Sequence, residues 1–119
     1  MTAAQACFPK ASRIKLASEI RSILRNGASV RACGIIIYYA KKDRTSRLAI
    51  TLSKRVLKKA VDRNFVKRIV REYFRTRKNL FSSGYDVLVR FEENQNLLDK
   101  RHLRKTLESL FLRSGIIHG

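Results

Sequence analysis

The stretch DRNFVKRIVREYFRTRK, from Asp62 to Lys78, combines the period of one long helix with a strong excess of positive charge. A helix turns by about 100° per residue, so positions i and i+4 lie about 40° apart on its surface. One stripe therefore carries the cations Arg63, Lys67, Arg71 and Arg75, with Asn64 inside its arc and Arg68 just beyond its edge. The opposite side gathers Val66, Ile69, Val70 and Tyr73. This pattern predicts a helix, from about Val56 to Lys78, with one side in the core and one cationic side exposed.

The positive charge of the chain is concentrated around this helix. The 119 residues carry 27 Lys and Arg against 9 Asp and Glu, which gives a formal net charge of +18. Between Lys54 and Lys78 there are 11 Lys and Arg and 2 Asp and Glu, so this segment alone has a net charge of +9. Cations at i and i+4 repel each other by a few tenths of a kcal/mol, and a solvated helix relieves this with interleaved carboxylates. A helical face of nearly one sign favours a polyanionic partner whose phosphates it contacts.

The segments before the basic helix predict one helix and two strands. Ser12–Asn26 has the spacing of a short amphipathic helix, with Ser12 or Ser18 as its N-cap and Gly27 as its end. The run GIIIYYAKK, from Gly34, and the run RLAITLS, Arg47–Ser53, predict two strands that the polar turn DRTS joins into a hairpin.

The segments after the basic helix predict one strand and one helix. In YDVLVRF, Tyr85–Phe91, apolar residues alternate, so Val87 and Val89 face one way and Leu88 the other. Leu98–Ser114 predicts a final helix that packs through Leu103, Leu107, Leu110 and Phe111. Tyr73 and Phe74 are expected in the core.

The length of the chain predicts a single domain with short ends. Residues 1–12 are expected to be a flexible N-terminal segment, 13–114 the α+β domain, and 115–119 a C-terminal tail. The longest apolar run, Ile35–Ala40, is far shorter than a membrane span, and the N-terminus lacks a signal-peptide pattern. Cys7 and Cys33 are expected to be free thiols. The chain is therefore expected to be soluble and cytoplasmic.

The ionisable residues form no pattern typical of a catalytic site. The carboxylates are scattered, and the adjacent pair Glu92–Glu93 indicates a polar loop. His102 and His118 lie far apart in the sequence. Protein nucleases use clustered carboxylates or a His pair, so no catalytic residue is expected.

The residues of the basic helix also resemble a known family. RNFVKRIVREYF, Arg63–Phe74, is similar to the Arg-Asn-x-x-Lys-Arg-x-x-Arg signature of the bacterial ribonuclease P protein component. AITLSKRVLKKAVDRN resembles the strand, turn and helix entry that precede that signature, and YDVLVR and LRKTLESLFLR resemble its later strand and last helix. The resemblance runs from about Phe8 to Ser114.

The resemblance implies a specific α+β fold: a four-stranded mixed sheet with three helices in the order αβββαβα. It further implies that the long basic helix forms a left-handed crossover between parallel strands. The residues themselves predict three strands, so the fourth is expected from a split of Val30–Ala40 or from a short piece elsewhere.

The resemblance also implies a function. In that family, a catalytic RNA with Mg²⁺ cleaves precursor tRNA, and the protein holds both the RNA and the 5′ leader. The implied partners are the ribonuclease P RNA and precursor tRNA, with no membrane, no obligate protein partner and no covalently bound cofactor. Whether the protein itself binds a metal ion is left open, with Asn64 as a candidate ligand.

Matching positions carry the family's site residues over to this chain. The implied RNA-binding residues are Ser53, Lys54, Arg55, Arg63, Asn64, Lys67, Arg68, Arg71 and Arg75. The implied leader cleft is lined by Ile20, Leu24, Ile36 and Tyr38. The chain departs from the family pattern at Phe65, where many members have Arg, and at Ile20 and Leu24, where Phe is frequent.

Two other functions fit the same charge. One is a small basic ribosomal or RNA-chaperone protein without a role in cleavage. The other is a membrane-surface protein, which the core spacing of the helix's apolar side disfavours.

Overall fold

The computed structural model describes residues 17–42, 45–81 and 83–117, which form three helices and four strands. The helices are α1 (Ala17–Asn26), α2 (Ala60–Arg77) and α3 (Lys100–Ser114). The strands are β1 (Ala28–Ala32), β2 (Ile35–Lys42), β3 (Arg47–Thr51) and β4 (Gly84–Phe91). A short 3₁₀ turn, Lys78–Leu80, follows α2. The predicted α+β class is therefore confirmed.

The four strands form one mixed sheet in the order β1-β2-β4-β3. β2 pairs antiparallel with both β1 and β4, whereas β3 pairs parallel with β4. The predicted hairpin between β2 and β3 is thus wrong, because β4 lies between them. The physical reason is the composition of β4: Val87, Leu88 and Val89 are all buried, which suits a central strand covered on both faces.

The fourth strand comes from a split near Val30–Ala40, one of the two origins expected for it, because β1 ends at Ala32 and β2 begins at Ile35. β1 and β2 are joined by a tight turn at Cys33 and Gly34, whose φ angles are 50° and 77°. Such left-handed conformations match the twist of a two-residue hairpin. The same backbone turn is tied to the end of β4, because the Gly34 carbonyl accepts a hydrogen bond from the Glu92 N–H at 2.8 Å.

Helices cover both faces of the sheet. On one face α2 and α3 build the main core against alternate residues of β2 and β4, including Ile37 and Val89. On the other face α1 packs Ile23 onto Leu88 and Ala49. The alternation predicted for β4 and the core positions predicted for Tyr73 and Phe74 are confirmed.

The helix ends differ in part from the predictions. α2 begins at Ala60 rather than near Val56, because Leu57 inserts into the core and the Ser53 carbonyl accepts the N–H groups of Val56 and Leu57 in a turn. α2 joins the parallel neighbours β3 and β4, so the crossover is present; its left-handed sense stays a prediction.

The ends of α1 and α3 have clear causes. A Cβ on Gly27 would meet the carbonyl oxygens of Ile23 and Tyr39 at 2.6 and 2.8 Å, so only glycine fits where α1 stops. Ser18 lies inside α1 and is not its N-cap, and Ser12 falls outside the described residues. α3 starts two residues after the predicted Leu98, because the Asp99 side chain caps it by accepting the His102 N–H.

The packed domain extends past Ser114. Ile116 and Ile117 are buried in the main core, and Ile117 forms a β-bridge with Phe81. Part of the segment predicted as a tail, 115–119, therefore belongs to the core.

Candidate nucleic-acid interface

The basic face of α2, defined by Asn64, Lys67, Arg68, Arg71 and Arg75, lies on the solvent side of the helix. Asn64, Arg68 and Arg75 are exposed, and Lys67 and Arg71 are half-buried. The opposite side is buried through Val66, Ile69, Val70, Tyr73 and Phe74. Packing on one side thus holds the helix in place and fixes the orientation of its cations.

Most cations of the basic face lack a carboxylate partner. Within residues 17–42, 45–81 and 83–117, neither Lys67, Arg68 nor Arg75 forms an ion pair, and neither do the two acids of the helix, Asp62 and Glu72. The positive charges of Lys67, Arg68 and Arg75 are therefore available to an external anion.

Arg63, one of the predicted RNA-binding residues, uses its guanidinium inside the protein. Its Nη1 donates to the Leu57 carbonyl at 2.9 Å and to the Lys58 carbonyl at 2.8 Å. Its backbone N–H donates to the Lys59 carbonyl at 3.1 Å, which starts the helix. Arg63 therefore fastens the preceding loop to α2.

The loop that Arg63 fastens extends the positive surface. Ser53, Lys54 and Arg55 are exposed at its start. Lys58 and Lys59 are also exposed, and sequence reasoning did not select them. The sequence contained a signal for both residues, because a Lys pair directly before a basic helix adds to the positive electrostatic potential of that helix.

Phe65 supports the basic face of α2 from below. The ring is half-buried and packs against the main core. The Arg68 guanidinium carbon lies 6.0 Å from the centre of this ring. Phe65 thus contributes packing and a weak cation–π contact, of about 0.5–1 kcal/mol at an exposed site.

The predicted leader cleft is only partly formed by the residues expected there. Ile20 and Tyr38 are half-buried and pack around the same small cluster, between α1 and the sheet. Leu24 is 38% exposed at the rim. Ile36 is 2% exposed and offers no surface to a ligand, because it lies within the covered part of the sheet.

A partly buried ion cluster, which sequence reasoning missed, joins α1 to the sheet. Arg47 donates to Asp86 through Nε (3.1 Å) and Nη2 (2.9 Å), and to Glu19 of α1 through Nη2 (2.8 Å) and Nη1 (3.3 Å). The hydrogen bonds with Asp86, and next those with Glu19, raise the pKa of Arg47 above its usual value. The sequence signal for this cluster was Asp86, a single acid inside an apolar strand. A buried acid requires a cationic partner.

The adjacent acids Glu92 and Glu93, predicted to lie in a polar loop, have partners within the protein. Glu92 lies 3.6 Å from Arg31 and 4.0 Å from Arg90, and Glu93 accepts a hydrogen bond from Gln95. In the part of the chain that the structure describes, no three His, Cys, Asp or Glu residues are grouped as metal ligands. The same part contains no helix of the length and apolarity that a membrane crossing needs.

Comparisons with known proteins agree on one family. The chain matches the family model described as Ribonuclease P over residues 8–115. It is 40% identical over 87 residues to the ribonuclease P protein component of Burkholderia mallei, across 73% of this chain but only 63% of that relative. It is 35% identical over 112 residues to the component of Ralstonia pickettii, across 87% of this chain and 79% of the relative.

Two solved structures are similar in fold. The Staphylococcus aureus RNase P protein superposes with a TM-score of 0.81 at 27% identity, and the match covers 92% of this chain and 100% of that protein. The Thermotoga maritima RNase P protein, in complex with a fluorophenyl thiourea, gives a TM-score of 0.67 at 27% identity over 85% of this chain and 94% of that one.

Proposed function

Because this chain belongs to the ribonuclease P protein family, we propose that it is the protein subunit of a ribonuclease P ribonucleoprotein in the cytoplasm. In this function it assists the endonucleolytic removal of the 5′ leader from precursor tRNA. The observation that carries the proposal is the basic face of α2, whose cations are oriented by a buried reverse side and point to solvent.

The proposal assigns cleavage to the RNA subunit, which supplies the catalytic groups and the Mg²⁺ ions. The protein's contribution is electrostatic and positional. Catalytic RNA and precursor tRNA are both polyanions, and their mutual repulsion increases at low salt. A compact body with a net charge of +18 between them lowers this repulsion.

The basic face of α2 and the loop before it dock on the catalytic RNA in this proposal. Arg68 and Arg75 contact phosphates directly, since they are exposed and make no ion pair among the described residues. Arg63 acts mainly as a positioning residue, since it holds the loop that carries Lys54 and Lys58. Each phosphate contact releases counterions, so the affinity falls steeply with salt.

The groove between α1 and the sheet receives the single-stranded leader. Tyr38 supplies a ring on which a base can stack, and Ile20 and Leu24 supply apolar contact at the side of α1. Stacking on an aromatic ring contributes about 1–3 kcal/mol per base, whereas aliphatic side chains contribute less. The ion cluster of Arg47, Glu19 and Asp86 ties α1 to the sheet and so holds Ile20 and Leu24 in place.

A cleavage assay at low Mg²⁺ tests the proposal. Precursor tRNA is incubated with a bacterial ribonuclease P RNA, with and without the purified protein, and the rate of mature tRNA formation is measured. We expect faster cleavage with the protein, and no comparable gain from an unrelated basic protein of similar charge.

Two results would overturn the proposed function. One is an unchanged rate in the presence of the protein. The other is an equal gain from the unrelated basic protein, which would favour a general RNA chaperone.

A further inference from the structure

A second group of cations lies on the first turns of α3, away from the basic face of α2. Lys100, Arg101, Arg104 and Lys105, here called the α3 patch, are all exposed and line one concavity of the surface. None of the four forms an ion pair with another described residue. The helix beneath them is fixed, because its inner side is buried in the main core through Leu103, Leu107, Leu110 and Phe111.

The charges of the α3 patch do not stabilise the helix that carries them. Lys100 and Arg104, like Arg101 and Lys105, are spaced i,i+4, so each pair is repulsive. Cations in the first turn also face the positive end of the helix dipole, where acidic residues are favoured, and this turn has no acid. The folded protein alone gives no reason for these four charges.

The two nearest acids of α3 have other roles. The Asp99 carboxylate caps the helix by accepting the His102 N–H at 3.2 Å. The Glu108 carboxylate accepts hydrogen bonds from the Tyr73 hydroxyl and, at 3.2 Å, from Arg77 Nε of α2. The patch therefore remains uncompensated within the structure.

The position of the patch separates it from the basic face of α2. Tyr73 and Arg77 are the α2 residues that turn towards Glu108 of α3. Tyr73 follows Arg71 by two residues, which places it about 200° around the helix from that cation. The basic face thus points away from α3, and one flat RNA segment does not contact both surfaces.

The two helices lie together on one face of the sheet. β3 and β4 are parallel, so α2 starts where β4 ends and runs back beside it. α3 also follows the end of β4 and finishes near Phe81, just before β4 begins. The two helices therefore start at the same end of the sheet, with their cations on different sides.

We propose that the α3 patch is a second RNA-binding surface, which contacts a phosphate backbone separate from the one that docks on α2. The proposal rests on the proposed function, because it requires the catalytic RNA to extend around the protein. The backbone is that of the catalytic RNA, because α3 lies with α2 on one face of the sheet, opposite the α1 face proposed for the leader of precursor tRNA.

A pair of charge reversals tests the proposal. Lys105→Glu alters the patch, and Lys41→Glu alters an exposed lysine of β2 outside both surfaces. The two variants have the same net charge, so any difference between them reports the position of the charge. Arg101→Glu repeats the test one turn earlier, and circular dichroism checks that each variant is folded.

Binding is measured over a range of salt in two arms: protein with ribonuclease P RNA alone, and precursor tRNA with the assembled holoenzyme. We expect Lys105→Glu and Arg101→Glu to weaken binding several-fold more than Lys41→Glu. We also expect them to reduce the log–log salt slope by roughly 0.7–0.9 per lost contact. A loss in the first arm is the expected result. A loss confined to the second arm would place the contacted backbone in the precursor tRNA and would overturn the assignment to the catalytic RNA.

Equal effects of all three variants in both arms would overturn the proposal, since net charge alone would then explain them. This result is distinguishable from failure of the proposed function, in which the unaltered protein does not accelerate cleavage.

Discussion

Replacing Arg47 by Met should destabilise the protein far more than replacing any cation of the basic face of α2. The guanidinium is the shared partner of Asp86, which is 2% exposed, and of Glu19 on α1. Methionine keeps most of the length of the side chain but removes the charge and four hydrogen bonds. Asp86 then retains its charge inside the sheet without the guanidinium.

The magnitude follows from the burial of the cluster. Removing one partner of a buried ion pair costs about 3–5 kcal/mol. Because the Arg47 side chain is itself 16% exposed and Glu19 is 30% exposed, we expect the lower end, about 3 kcal/mol. For a domain whose free energy of unfolding is about 5–15 kcal/mol, this lowers Tm by roughly 10–20 °C.

Urea denaturation of Arg47→Met measures this loss, and a second substitution isolates its cause. Adding Asp86→Asn removes the buried charge, so the double variant should recover about half of the loss or more. Glu19→Gln removes only the more exposed partner and should cost about 1 kcal/mol. Hydrogen exchange in α1 should rise in both single variants, because the cluster holds this helix to the sheet.

A cost of less than about 1 kcal/mol for Arg47→Met would contradict this prediction, and so would a double variant with Asp86→Asn that recovers no stability. Either result would mean that packing around Ile23, rather than the ion cluster, holds α1 in place.

Three further predictions address the interface and the core. Arg68→Gln should reduce the salt slope of RNA binding by roughly 0.9 and leave the stability of the protein unchanged. Arg63→Gln should also cost about 1–2 kcal/mol in urea denaturation, since it removes two hydrogen bonds to the loop. Equal stability of the two variants would contradict this. Leu24→Phe should tighten the binding of precursor tRNA at least fivefold more than that of mature tRNA, because stacking on the new ring contributes roughly 1 kcal/mol. Equal gains in binding would exclude a leader groove there. Burial, and next the hydrogen bond to Glu108, raises the pKa of Tyr73. The folded protein therefore favours the neutral phenol and loses stability as the pH rises above about 10. The Tyr73→Phe variant should lose less stability than the unaltered protein between about pH 9 and pH 11.

Periodicity in the sequence was sufficient for the parts of the fold that repeat over several turns. The two-sided pattern of α2 corresponds to one buried and one exposed side. The alternation in β4 corresponds to the two covered faces of the sheet, with Val87 and Val89 in the main core and Leu88 in the cluster under α1. In each case a single local rule, 3.6 or 2 residues per repeat, decides which side chains meet the core.

Strand pairing was not predictable in the same way. β2 and β3 are neighbours in sequence, yet β4 separates them, because its buried residues require a partner strand on each side. β1, with the sequence ASVRA, has an exposed and weakly apolar pattern, so only its turn at Gly34 signalled a strand. Such choices depend on contacts between residues far apart in the chain.

The residues of the candidate site also divide into those that the sequence predicts and those that it does not. The cations of α2 were predictable from their spacing, whereas the internal role of Arg63 depends on where Leu57 and Lys58 turn their carbonyls. Ile36 was predicted to line a cleft, but alternation along β2 does not reveal how much of that face is covered.

The central place of β4 has a consequence for the synthesis of this protein. While the ribosome is still translating the segment before Gly84, β2 and β3 both lack the strand that separates them. Each then presents an open edge, which is a template for wrong pairing between nascent chains. The sheet closes only when the last third of the chain emerges, so folding should be largely post-translational, and prematurely terminated products should aggregate rather than fold.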